Sequence, residues 1–221
     1  MEEKSSSTTA YVSARNRDSP LTEDIVSKVE ELNLTKEEGS NQGYNEEITS
    51  DDYWSERSSE NDITNTNVTD PSHKLVIDTW NRVKSKYKNY EMVAGVLLFR
   101  NIFEAAPQAK ELFDFAKGKD DEEIFRSIKF SLHSKKVIGA IDKVVGMLSS
   151  RLEDLVIFLT DLGQFHATYG ILPAHYSIVG EALINTLKSA LSEEFTEKVK
   201  ESWIGAYELI SSTMIKGGEK T

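Results

Sequence analysis

The chain has 221 residues with 26 Lys and Arg against 37 Asp and Glu, a formal net charge of −11, and no cysteine. The missing cysteine excludes a disulfide scaffold, a thiolate nucleophile, an iron–sulfur cluster and a zinc finger. The acidic balance argues against non-specific binding to nucleic acid or an anionic membrane, and no run approaches the ~20 apolar residues of a spanning helix. The start, Met1-Glu2-Glu3-Lys4, lacks the apolar core of a signal peptide, and Glu2 stands where myristoylation needs glycine. A soluble, cytoplasmic protein is expected.

The charge is unevenly spread. Residues 1–70 carry 17 acidic and 6 basic side chains, while residues 71–221 carry 20 of each. All nine Phe lie after residue 71, and the first 70 residues hold 26 Ser, Thr and Asn but only 17 hydrophobic residues. Low hydrophobicity with high net charge cannot offset chain entropy, so residues 1–70 are predicted to be a disordered acidic extension. Within it, Leu21, Ile25, Val29 and Leu32 repeat at helical spacing, with Thr22 as a candidate N-cap. A segment this short is marginal alone in water. It reads as a transient helix, the alternative being a docking segment that orders on a protein partner. Asn33-Leu34-Thr35 and Asn67-Val68-Thr69 match the glycosylation pattern by chance if no secretion signal accompanies them.

The remainder predicts helices throughout. Asp70-Pro71 opens the first as N-cap and first-turn proline, and Leu75, Val76, Thr79, Trp80 and Val83 form its stripe. A second helix runs from Met92 to Ala106, with Val96, Phe99, Ile102 and Phe103 on one side. Pro107 starts a short helix ending near Leu112. A single long helix is expected over residues 122–148 on the stripe His133, Val137, Ile141, Val144 and Leu148. Another runs from Leu152 to about Tyr169, with Leu155, Leu159, Leu162 and His166 in line and Gly170 as its C-terminal cap. Helices over 174–191 and 196–216 follow, the latter ended by Gly217-Gly218. No alternating strand or hairpin signal is present, so residues 71–217 read as one all-α domain with a short tail at 218–221.

Few motifs carry chemistry. No phosphate-binding glycine motif, HExxH or nucleophile elbow is present. Asp120-Asp121-Glu122-Glu123 reads as a solvated helix start, where acids favour the dipole. His73 and His175 are expected to be exposed and receive no role. His133 and His166 differ, because each sits on the apolar stripe of its own helix, and a buried imidazole must hydrogen-bond or bind something. Two imidazoles across an apolar slot could hold a planar iron porphyrin. The pattern alone leaves that reading behind an ordinary helical core.

The order and spacing of further residues resemble the globin family over about residues 71–217. Trp80 falls where globins carry a first-helix tryptophan. Pro107 with Phe113 resembles the proline of the C helix and the phenylalanine that stacks on haem. Leu132-His133-Ser134-Lys135-Lys136-Val137 resembles the distal helix, Leu162-Gly163-Gln164-Phe165-His166 the proximal helix, and Tyr176-Ser177-Ile178-Val179-Gly180-Glu181 the start of the G helix. The resemblance implies an all-α, three-over-three sandwich around one haem b (iron protoporphyrin IX). It implies His166 as the proximal iron ligand through Nε2, with its other ring nitrogen bonded to an oxygen acceptor. It places His133 at the sixth position, Phe113 on the ring, Lys136 at a propionate, and Val137, Leu162, Ile171, Tyr176 and Val179 along the pocket.

Phe99, eight residues before Pro107, is similar to the distal-pocket phenylalanine of neuroglobin and plant non-symbiotic haemoglobins, whose distal histidine can itself ligate iron. The resemblance thus implies dioxygen, nitric oxide and carbon monoxide as ligands, and a six-coordinate resting state. Two function classes remain: reversible dioxygen binding for storage, transport or sensing, and redox chemistry on nitric oxide or nitrite with a separate reductase. A sensor acting through the acidic extension ranks behind both.

Overall fold

The Asp70 carboxylate accepts the backbone N–H of Ser72 at 2.8 Å and caps helix α1 (Pro71–Lys86). The computed structural model describes residues 70–149 and 151–220, together with Ser27, which is helical and exposed. The rest of the expected 21–32 helix and the reading of the extension lie outside the described residues.

Helix α2 (Tyr90–Ala105) follows, then a 3-10 helix (Pro107–Leu112), α3 (Asp121–Arg126), α4 (Ile128–Met147) and α5 (Leu152–Thr168). Helix α6 (Pro173–Leu191), a 3-10 turn (Ser192–Glu194) and α7 (Glu197–Gly218) complete the chain. Among the described residues there is no strand. Helices α1, α4 and α5 form one layer and α2, α6 and α7 the other, with α5 laid along α7, α2 across α4 and α1 across α7. This is the expected three-over-three arrangement.

Three expectations are corrected. The single helix over 122–148 is two helices, because Ser127 leaves helical geometry (φ −76°, ψ 141°) and its hydroxyl caps α4 by accepting from Phe130 N. An unbroken apolar stripe hides such a break, since serine is compatible with either role. The acidic run does start a helix: Asp120 and Glu123 form a reciprocal capping box. At the far end Gly217 and Gly218 are helical and do not end α7 short of themselves, so the tail begins one residue later than expected. His73 and His175 are half-buried, not exposed; His175 Nδ1 accepts the orphan N–H of Leu172 at 3.0 Å at the start of α6.

Two tryptophans tie the layers together. Trp80 Nε1 donates to Asp142 Oδ1 at 2.8 Å, and Trp203 Nε1 donates to Thr79 Oγ1 at 3.0 Å. Both rings are buried and stand edge to face, 6.0 Å apart. Their polar hydrogens are therefore satisfied where an unpaired donor would cost about 1–3 kcal/mol. The α5–α7 contact is close because residue 163 is glycine: a Cβ there would stand 2.0 Å from the backbone oxygen of Met214.

Candidate functional site

The two helices carrying the singled-out histidines divide their apolar residues between two environments. On α4, Phe130, Ser134, Ile138 and Val145 are buried in the core, while His133, Val137 and Ile141 are half-buried. On α5, Leu155, Leu159 and Gly163 are buried, and Leu162 and His166 are half-buried. The stripes expected from spacing are thus each split between a core edge and a second edge that holds the histidine.

His133 stands in an aromatic cage. Its ring centre is 5.5 Å from Phe99, 5.3 Å from Phe113 and 5.3 Å from Phe115. Phe99 also meets Phe130 at 5.5 Å, which fixes the cage from below. Among the described residues the imidazole has no hydrogen-bond partner. Burial, then the Lys136 cation, then His166 push its pKa down from the usual 6.5 to about 4, so the ring is neutral at pH 7. A neutral imidazole keeps a lone pair on one ring nitrogen.

His166 is held differently. Its Nδ1 lies 2.8 Å from the carbonyl oxygen of Leu162, one turn earlier on α5. A carbonyl only accepts, so Nδ1 carries the proton and Nε2 carries the lone pair. Burial lowers its pKa and the bond to Leu162 opposes that shift. The Tyr176 ring lies 6.4 Å away. The N–H of Ile171 bonds the His166 carbonyl at 3.2 Å, folding the α5–α6 corner back under the ring. The two histidines are within electrostatic reach of each other.

The structure therefore brings together most of the expected site. Phe99, Phe113 and His133 meet on one side, and Leu162, His166, Ile171 and Tyr176 on the other. Val137, Leu162, Tyr176 and Val179 are half-buried against the core, and Lys136 is exposed one turn beyond His133. Sequence reasoning missed Phe115, which touches the cage as closely as Phe113 does; an aromatic two residues after Phe113 was the available signal. It also gave Tyr207 no role, although its hydroxyl donates to the Tyr176 carbonyl at 2.6 Å.

These residues fit a flat apolar metal complex. One imidazole has no protein partner, the other presents Nε2, and the surrounding residues are aliphatic and aromatic. Among the described residues no group of three His, Cys, Asp or Glu could hold a bare ion.

Comparison with known proteins agrees. The family model described as Globin matches residues 96–214. A neuroglobin of Danio rerio is 32% identical over 147 residues, covering 66% of this chain and 89% of that one. A leghemoglobin of Medicago sativa is 30% identical over 143 residues, covering 64% and 92%. An anaerobic nitrite reductase of Brassica napus is 31% identical over 142 residues, covering 63% and 85%. A solved hexacoordinated heme protein from an anhydrobiotic tardigrade, at 18% identity, superposes with a TM-score of 0.61 over 67% of this chain and 93% of that one. On the family match, and with two imidazoles set in an apolar surround, the chain belongs to the globin family and its cofactor is haem.

Proposed function

We propose that this globin binds dioxygen reversibly, with His166 as the proximal ligand and His133 as the resting sixth ligand. When bound, haem would supply an iron atom able to take a diatomic ligand. His166 would hold it through Nε2, oriented by the Nδ1–H bond to Leu162. Phe113 and Phe99 would exclude water on the distal side, and Val137, Leu162, Ile171, Tyr176 and Val179 would line the remainder. Lys136 offers a cation at the rim for a propionate.

The single observation that carries the reading is the state of His133: neutral, without a hydrogen bond, and caged on three sides by phenylalanine rings. Such a ring has little to lose and a ligand bond to gain. An external ligand then competes with it, so apparent affinity falls by the fraction of molecules in which the imidazole is away. Once displaced, its N–H can donate to a ligand with negative charge on its outer atom. The acidic extension over residues 1–70 is proposed as a separate module outside this chemistry.

The test is the absorption spectrum of the purified ferrous protein. Low-spin visible bands that collapse on adding carbon monoxide are expected; a five-coordinate spectrum before any addition overturns the His133 assignment. The relative named as a nitrite reductase favours a second reading, redox chemistry on nitrite or nitric oxide with a separate reductase. Sustained nitrite or nitric oxide turnover with a reductase supports it. Slow dioxygen release without turnover supports storage, transport or sensing.

A further inference from the structure

We propose that residues 21–32 of this chain dock as a helix on the outer face of α4, the helix that carries His133. Exposed apolar side chains also occur on α5, where Leu152, Val156 and Ile157 stand beside Glu153 and Asp154; the face of α4 differs in its charge. Ile128 and Leu132, one turn apart, are 56% and 57% exposed. Lys129 and Lys135 are exposed beside them, while Lys143 lies over the Phe158 ring of α5 at 4.6 Å. The one acid of α4, Asp142, is turned to α1, where it accepts from Trp80 and pairs with Lys84 at 2.7 Å. The outward face of α4 is therefore apolar and basic with no carboxylate of its own. From the neighbouring loop, Asp114 lies within electrostatic reach of Lys129, but its hydrogen-bond partner is Lys117.

The same face is low as well as basic. At Gly139 and Gly146, seven residues apart, an added Cβ would meet nothing within 4 Å. Glycine inside a helix costs about 1 kcal/mol relative to alanine, and no contact within the described residues requires it at either place. A second helix lying close along α4 would, since interaxial distance depends on the side chains at the crossing.

Residues 21–32 have the complementary chemistry. Leu21, Ile25, Val29 and Leu32 form one stripe, Asp24 and Glu31 flank it, Glu23 and Glu30 add further charge, and Lys28 is the sole base. Ser27, at the centre of the segment, is helical. A helix this short needs an apolar surface to be stable. The 37 residues from 33 to 69 join it to Asp70; a random coil of that many residues would have an r.m.s. span of roughly 30–35 Å, about the width of the domain. The tether thus reaches α4 and holds the segment near it at an effective concentration on the order of millimolar. Apolar against apolar and acid against base make this chain's own segment the occupant.

The absence of cysteine makes the test clean. Ile25→Cys is paired in the full-length haem-loaded protein with Leu132→Cys or, separately, with Gly139→Cys. Ser212→Cys on α7 is the control position, since it is exposed and α7 packs on α1, where the tether begins. Mild oxidation at low micromolar protein is expected to close the intramolecular disulfide to α4 at least about tenfold faster than to Ser212→Cys, as docking raises local concentration above the tether's own. Adding Lys129→Glu and Lys135→Glu should return the rate to the control value. Equal rates at all positions overturn the proposal. So does a dimeric product, which places a second copy on the face. So does a fast rate that the charge reversals leave unchanged. A rate that falls to the control value when phosphatidylserine vesicles are present during the oxidation overturns it as well and assigns the face to an anionic surface.

Discussion

Tyr207 on α7 donates its hydroxyl to the backbone carbonyl of Tyr176 on α6 at 2.6 Å, and the Tyr176 ring stands 6.4 Å from that of His166. One hydrogen bond thus fixes the first turn of α6 beside His166. Burial raises the Tyr207 pKa well above the usual tyrosine range, so the donor persists through any neutral or mildly alkaline pH. Tyr207→Phe leaves the carbonyl unpaired and should cost about 1–2 kcal/mol in denaturant unfolding. It should also speed haem loss, measured by transfer to a competing acceptor. Unchanged stability would mean that the bond is replaced by water.

His166→Ala removes the Nε2 donor while leaving its helix intact. Purified protein is expected to lose its Soret absorption and to keep its far-ultraviolet helical signal. Retention of haem at the wild-type level would sink the proximal assignment.

His133→Leu keeps an apolar side chain among Phe99, Phe113 and Phe115 and deletes the proposed sixth ligand. The ferrous spectrum should change from low-spin to five-coordinate, and apparent carbon monoxide affinity should rise. An unaltered spectrum would show that His133 does not reach the sixth position.

Without haem, His133 predicts a specific acid sensitivity. Its folded pKa of about 4 lies below its unfolded value near 6.5. Above pH 6.5 the ring is neutral in both states and its contribution is level. Between pH 6.5 and 4 the unfolded chain takes up a proton that the pocket refuses, so stability falls as pH falls, by up to about 3 kcal/mol. Unfolding of the haem-free protein against pH should show this slope, and His133→Leu should reduce it, leaving the part that His166, also lowered by burial, contributes. A slope that the substitution leaves unchanged would place the acid sensitivity elsewhere.

Gly163→Ala tests the α5–α7 contact. The new methyl would lie 2.0 Å from Met214 O, a backbone atom that moves only with the helix. A loss of about 2–4 kcal/mol is expected, at the upper end of overpacking effects. Gly205→Ala, also on α7 but with open space around it, should instead gain up to about 1 kcal/mol. Chemical denaturation of both variants reads the difference; equal effects would refute the close approach.

Much of the architecture was legible because helices announce themselves locally. Asp70-Pro71, the acidic start at Asp120 and the stripes of α1, α2 and α5 obey rules acting over four residues, and the structure follows them. The break at Ser127 was not legible, since residues on both sides continue the same apolar period. Gly217 read as a stop signal but serves as a contact: a Cβ there would meet Thr160 O at 2.3 Å. That difference depends on a partner far away in the chain.

The sequence by itself determined that the folded part is helical, that its charge balances while the first 70 residues hold the whole excess, and that His133 and His166 lie on apolar faces. Tertiary structure alone decided what surrounds those histidines. It set Phe115 beside Phe113 in the cage around His133 and tied Tyr207 to Tyr176. The physical reason is range: helical periodicity and capping act between near neighbours, whereas desolvation, ring contacts and cross-helix hydrogen bonds arise only once distant segments meet.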